Sequence, residues 1–370
     1  MINIFDPVSL GSVTLRNRFV RSATWEGMAD SQGYVTDELI DLMRRLAEGK
    51  VGLIITGHAY VSNEGQAHHH QLAITQDQYI ENLSEMTQVV HKAGGKIFLQ
   101  LAHAGFRADS QLTKILPVGP TEIYEEGPQP IARALTVVEI QDLVEAFGKA
   151  ARRAQRAGFD GVQVHGGHGY LFNQFLAPIF NRRADAYGGQ LDQRARFLYE
   201  TLQSIRNKVG SDYPVMLKIN SEDYLENGFT IEEMLKVSQK LEVEGTVDAI
   251  EMSGGNSYRG LARFAPVRNG KIRPDQEAWY KASAVRYKSK ISIPLILVGG
   301  IRSLDVACRL VSDQIADYIS MSRPFITEPD LIQRWEAGDL NPSRCVSDTL
   351  CFKKLLEGEK LRCHVFPSKP

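Results

Sequence analysis

Residues 158–170 read GFDGVQVHGGHGY. Gly158 closes an amphipathic segment in which Ile140, Leu143, Val144, Phe147, Ala151 and Ala154 fall on one helical stripe. Thr136, three residues before Glu139, has the spacing of a capping box that starts such a helix. The β-branched run that follows, GVQVHG (161–166), has the length of a buried strand. A strand that only filled a core would have little use for an ending of paired histidines, paired glycines and a tyrosine. The stretch thus reads as helix stop, strand and chemically equipped strand end, and the fold depends on what repeats that unit.

Working outward, seven similar runs appear: RFVRSA (18–23), VGLIITGHAYV (51–61), KIFLQLA (96–102), VMLKIN (215–220), AIEMSG (249–254), PLILVGG (294–300) and DYISMS (317–322). Several are almost continuously apolar, as expected of parallel strands covered by helices. Thr230 and Glu233 repeat the capping signal before Met234, Leu235 and Leu241, with Gly245 as the stop, and Ser303 opens SLDVACRLVSD. Eight strands alternating with helices predict a single (β/α)₈ barrel over residues 1–340, with an open doubly wound sheet as the alternative. Gly11 lies between two short extended pieces, which predicts an N-terminal β-hairpin capping the barrel bottom. The segment 103–135 is long enough to hold a small substructure, and residues 341–370 read as a tail packed on the barrel.

The chain has 370 residues, 43% hydrophobic and 24% charged, enough to bury a large core. A net charge of −1 gives no electrostatic reason to expect nucleic acid or an anionic membrane as partner. The first residues lack a signal-peptide layout, no apolar run has the length of a membrane span, and four cysteines suit a reducing compartment, so the cytoplasm is the expected location. Partners are expected to be small molecules, with a homo-oligomer open.

In a barrel of this kind, reactive groups come from the carboxyl ends of the strands. His165 and His168 end the fourth strand, where Gly166 and Gly167 are expected to let the chain turn sharply and a flat ligand approach the backbone. The two imidazoles could donate to one oxygen and Tyr170 could supply a proton from another side. A zinc site is the competing reading, with no third ligand evident. Gln100 ends the third strand with an amide suited to the edge of a heterocycle. Lys218, inside the fifth, points either out to solvent or in to a buried anion. Gly299, Gly300 and Arg323, after the seventh and eighth strands, suit a phosphate, and Gly254 and Gly255 extend that site. His68, His69 and His70 read as an exposed polar loop.

The run NRRADAYGGQLDQRARFL (181–198), after HGGHGYLFNQFL, resembles the signature of the old yellow enzyme family, the FMN-dependent ene-reductases and their NADH:flavin oxidoreductase relatives. FDPVSLGSVTLRNRFVRSA, GLIITGHAYVS, LQLAHAGFR and SRPFITEPDL follow the same order, so the resemblance covers about residues 2–335. It implies tightly bound FMN, with NADH or NADPH as reductant. Ser22, Ala23, Thr24, Trp25, Gly57, Gln100, Lys218, Gly254, Gly299, Gly300, Ser322 and Arg323 then stand at cofactor positions. Ser22 and Ala23 lie against the isoalloxazine, Gln100 pairs with its pyrimidine edge, and Lys218 replaces the more usual arginine. His165 and His168, with Trp25 nearby, hold the substrate, and Tyr170 protonates the α-carbon of an unsaturated carbonyl compound in a ping-pong cycle. A flavin dehydrogenase or demethylase on the same barrel, or a flavin-binding redox sensor without turnover, are the other functions open to it. Trp25 and Phe106 depart from the family pattern and are expected to reshape the pocket. Cys345, Cys351 and Cys363 have a spacing similar to that of iron–sulfur relatives, but Asp348 stands where a second cysteine belongs. A lost cluster is therefore the expectation, with no metal bound.

Overall fold

In the computed structural model, which describes residues 3–124, 127–256, 258, 265–268, 270 and 272–366, each apolar run becomes a strand. The short hairpin strands β1 (Val8–Leu10) and β2 (Val13–Leu15) come first, and then β3 (Phe19–Arg21), β4 (Leu53–Tyr60) and β5 (Ile97–Ala102). The segment after β5 does hold a substructure, a three-stranded sheet of β6 (Val118–Gly119), β7 (Ile123–Tyr124) and β8 (Pro130–Ala134). β9 (Gly161–Gly166), β10 (Val215–Asn220), β11 (Ala249–Ser253), β12 (Leu295–Leu297) and β13 (Tyr318–Met321) complete the set.

The eight longer-range strands pair in parallel and close in the order β3-β4-β5-β9-β10-β11-β12-β13, with β13 returning to β3. Closure rules out the open sheet and gives a (β/α)₈ barrel. Both capping boxes form: Thr136 with Glu139 opens the helix Val137–Arg156, and Thr230 with Glu233 opens Ile231–Glu244. Gly245 ends the latter in the left-handed conformation, φ +62°. Ser303 precedes the helix Leu304–Ser312 as expected, but its hydroxyl donates to Glu277 at 2.5 Å instead of capping. Among the described residues no helix is long and apolar enough to cross a membrane.

The hairpin plugs the bottom of the barrel. Leu10 and Leu15 pack with Val20, Leu53, Ile55, Phe98, Met216, Ala249, Ile296 and Tyr318 in an apolar cluster separate from the larger one under the helices. Tyr318 Oη donates to the Ser9 carbonyl at 2.5 Å, tying the plug to β13. At the other end Leu355 and Leu361 are buried, and the Leu361 amide donates to the Glu26 carbonyl at 3.0 Å.

Candidate active site

Side chains alternate along a strand, so every second residue of a barrel strand points inward. Phe98 is followed on that face by Gln100, Met216 by Lys218, Ala249 by Glu251 and Tyr318 by Ser320; the first of each pair belongs to the lower apolar cluster and the second is buried above it. The upper residues are wired together. Gln100 Nε2 donates to Gln163 Oε1 at 2.7 Å, and Gln163 Nε2 to Glu251 Oε2 at 2.8 Å. The hydroxyls of Ser22 and Ser320 donate to Glu251 Oε1 at 2.7 and 2.8 Å. Lys218 Nζ donates to Ser22 Oγ at 2.6 Å and lies 3.3 Å from Glu251 Oε1. Lys218 therefore points inward, toward the buried anion Glu251. Burial opposes ionisation of Glu251, but Lys218 and the bonds from Ser22, Gln163 and Ser320 hold its carboxyl below the usual range.

One step higher the strands open into a cavity of about 900 Å³. His165, next after Gln163 on the inward face of β9, has its ring 5.2 Å from that of His168 and 4.9 Å from that of Tyr170. The turn between them differs from the expectation in its mechanics. His168 and Gly169 take the left-handed conformation, at φ +60° and +81°, whereas Gly166 and Gly167 are needed because neighbouring β10 comes close. A Cβ on Gly167 would lie 2.6 Å from Asn220 Oδ1. Asn220 Oδ1 also accepts from the His168 amide at 3.2 Å, and His168 Nε2 is held by Ser253 Oγ at 2.7 Å. His165 Nδ1 is buried with no hydrogen-bond partner among the described residues.

Burial, then His168 and Lys218, push the His165 pKa well below its ordinary value; burial, then Lys218 and Arg107, bring His168 to about 3. Burial raises the Tyr170 phenol to about 12. Near neutral pH the site therefore holds neutral imidazoles and a protonated phenol. Two further histidines join them. His58, at the upper end of β4, has Nε2 3.2 Å from Tyr170 Oη, and burial, followed by His68 and His165, keeps it neutral as well. A histidine inside GLIITGHAYV near a strand end was a visible signal for this position. His68 corrects the expected exposed loop: His69 and His70 are exposed, but His68 lines the cavity and stacks on Trp25 with ring centroids 4.1 Å apart.

Ser22, Ala23, Thr24, Trp25, Gln100, Lys218, Gly299, Gly300, Ser322 and Arg323 all line this cavity with His165, His168 and Tyr170. Gly57 and Gly254 are not among the residues lining it. The Gly57 amide donates to Glu26 Oε1 at 2.9 Å, and a Cβ there would collide with that carboxylate; Gly254 sits under Tyr280, whose hydroxyl donates to its carbonyl at 2.8 Å. Gly299 and Gly300 adopt φ +131° and +72°, a turn that glycine alone enters freely. Arg323 Nη1 beside them donates to the Arg268 carbonyl at 2.8 Å. Cys345, Ser347, Thr349 and Cys351 from the C-terminal tail also face the cavity, and burial, then Cys345, raises the Cys351 thiol to about 11. Among the described residues no group of three or more His, Cys, Asp or Glu side chains is arranged to hold a metal ion. No aspartate or glutamate is among the described residues lining the cavity, while Arg107, Lys218, Arg268, Arg302 and Arg323 are.

A histidine pair and tyrosine over a cationic, glycine-turned cavity invite comparison with known proteins. The chain is 34% identical, over 99% of its length, to NADH oxidase of Thermoanaerobacter brockii, and spans 56% of that protein. Among solved structures, a 2-naphthoyl-CoA reductase complex superposes with a TM-score of 0.89 at 27% identity, covering 99% of this chain and 57% of that one. The old yellow enzyme homologue from Zymomonas mobilis gives a TM-score of 0.77 at 26% identity, covering 94% and 96%. The chain thus spans little more than half the length of some relatives and nearly all of others. The family model described as NADH:flavin oxidoreductase / NADH oxidase matches residues 3–341, and the chain belongs to that FMN-using oxidoreductase family.

Proposed function

We propose that the protein binds FMN at the top of the barrel and uses NAD(P)H to reduce the activated double bond of α,β-unsaturated carbonyl compounds. The observation that carries this reading is the convergence, in one cavity without a lining carboxylate among the described residues, of two neutral imidazoles, a protonated phenol and a cationic glycine turn. These residues fit a phosphorylated flavin: Gly299, Gly300, Ser322 and Arg323 suit the phosphate, and Ser22, Ala23, Thr24 and Trp25 the ring. The Gln100 amide nitrogen is committed to Gln163, which leaves its Oε1 to accept from a ring N–H. Lys218 would bring a positive charge to a bound flavin ring, with Glu251 offsetting part of it. When bound, FMN supplies hydride transfer from NAD(P)H to the acceptor.

The protein's own part is to hold the acceptor and manage one proton. His165 and His168 are donors placed to bind a carbonyl oxygen and to stabilise the negative charge that collects there as the double bond is reduced. His168 Nε2 must exchange its Ser253 partner to do so, or donate through Nδ1. Tyr170, still protonated far above neutral pH, gives its proton to the α-carbon, with His58 fixing the direction of the hydroxyl. Because reductant and acceptor use one cavity, the kinetics are ping-pong. In an anaerobic titration the purified protein is expected to be yellow and to bleach on adding NADPH or NADH, with an enone restoring the colour. A colourless protein that FMN does not reconstitute would sink the cofactor assignment. Bleaching without reoxidation by any enone would leave a dehydrogenase, or a sensor, in its place.

A further inference from the structure

We propose that Arg107 is a carboxylate anchor in the substrate site, so that the natural acceptor carries an ionised carboxylate in addition to its activating carbonyl. The inference rests on the ene-reductase reading and adds to it the chemical class of the substrate.

Arg107 closes the short 3₁₀ turn Gly105–Arg107 directly after β5. That turn is fixed to the catalytic one through a single buried amide. Gln174 Nε2 donates to the carbonyls of Ala104 and Gly169 at 2.9 and 2.7 Å, and Gln174 Oε1 accepts from the Phe106 amide at 3.2 Å. Gly105 is at φ +63°, and a Cβ on it would come within 2.1 Å of Gln174 Oε1, so this close coupling requires glycine. Phe106 turns into an aromatic cluster, its ring 5.0 Å from Phe180 and 5.6 Å from Tyr258. With residue 106 taken up by packing, the cation at 107 faces the cavity.

Its charge is felt by His168, Tyr170 and His68, which places it at the histidine and tyrosine end. The other cavity cations are engaged elsewhere. Lys218 pairs with Glu251, Arg302 and Arg323 donate to backbone carbonyls, and Arg268 lies over the Trp279 ring at 4.7 Å. The side chain of Arg107 makes no hydrogen bond or ion pair among the described residues. Nearby Asp109 is occupied in capping the helix Ser110–Thr113, accepting from the amides of Gln111 and Leu112 at 2.9 and 3.2 Å. A solvent-reaching guanidinium without a protein partner among the described residues, carried on a turn fixed beside the reacting groups, is matched by a ligand carboxylate, which it can bind through two parallel hydrogen bonds. A nicotinamide nucleotide phosphate is the other anion that reaches this cavity, and the test separates the two.

The FMN-loaded wild type and the R107M variant are compared with 4-oxopent-2-enoate and its methyl ester as oxidants. Binding of the non-reducible 4-oxopentanoate and its methyl ester to the oxidised protein is measured by calorimetry. The wild type is expected to prefer each acid over its ester by about 10- to 100-fold in KM or Kd, and in R107M that ratio falls to near one. The ratio of NADPH to NADH reduction rates stays as in the wild type. Equal affinity for acid and ester in the wild type would overturn the proposal. So would an R107M defect confined to the reductive step with NADPH, which would make Arg107 a nucleotide-phosphate contact. If no enone, charged or not, reoxidises the reduced protein, the ene-reductase reading fails by itself; the calorimetric ratio still decides whether Arg107 selects carboxylates.

Discussion

The lower and upper halves of the barrel are built from the same strands and have opposite contents. Below, Phe98, Met216, Ala249, Ile296 and Tyr318 meet the hairpin leucines in an apolar plug. Two residues further along the same strands, Gln100, Lys218, Glu251 and Ser320 form a buried, hydrogen-bonded polar layer in which Gln100 Oε1 is left open, and the histidines and Tyr170 sit above it. The lower half contributes stability by removing apolar surface from water. The polar layer is worth little as net stability, since ion-pair attraction and desolvation nearly cancel. Its hydrogen bonds fix Gln100 and Ser22 in one orientation at the floor of the cavity. Stability and chemistry are thus divided by height along each strand.

The largest effect expected on the chemical side comes from Tyr170→Phe. Reoxidation of the reduced flavin by an enone should slow by about 10²- to 10⁴-fold, and reduction by NADPH should persist. Stopped-flow traces of the two half-reactions check this, and equal losses in both would remove Tyr170 from its role.

Two substitutions set the halves directly against each other. Lys218→Met leaves Glu251 buried and unpaired and should cost about 3–5 kcal/mol in denaturant unfolding, largely recovered in Lys218→Met/Glu251→Gln. Phe98→Ala should cost a similar amount, about 3–5 kcal/mol, through a cavity that no second polar change repairs. If the double variant is no better than Lys218→Met, the two halves do not differ as described.

A smaller effect is expected at His58. His58→Leu removes one hydrogen bond to Tyr170 and should slow enone reduction about fivefold, from the roughly 1 kcal/mol such a bond contributes. Unchanged kinetics would show that the phenol is oriented without it.

The mildest test is pH. His58 and His165, pushed well below the ordinary 6.5, and His168, at about 3, are neutral when folded, so the unfolded chain binds more protons as pH falls below 6.5. Stability should therefore fall progressively from pH 6.5 toward 3. Glu251 acts in the same direction: its folded pKa is depressed, so its contribution is present above the unfolded value of 4.5 and lost as pH falls through the folded one. Thermal melts over this range measure both. The enone half-reaction should show no limb at the ordinary histidine value of 6.5, because His165 and His168 are pushed below it by burial and the Tyr170 phenol is raised to about 12. A limb near pH 6.5 would mean that one of the histidines is far less buried than the cavity indicates.

The sequence by itself determined the strands, both capping boxes, the hairpin and the equipped end of β9, because these depend on period, cap chemistry and turn residues within a few positions of one another. It also brought His165, His168, Tyr170, Gln100 and Lys218 to one end of the barrel, since the carboxyl ends of parallel strands share a face. Only the tertiary structure decided what each of them meets. Lys218 faces Glu251 because β10 and β11 pair in that register, and Gln100 on β5 reaches Glu251 through Gln163 on β9, two strands short of β11. His68 enters the cavity on a loop whose path no local pattern dictates. Gly57 and Gly254 have the right residue type at a strand end and still serve their neighbours Glu26 and Tyr280. Strand alternation assigns a side chain to a face from its own sequence, whereas the partner on that face comes from a strand tens of residues away and is fixed only when the barrel closes.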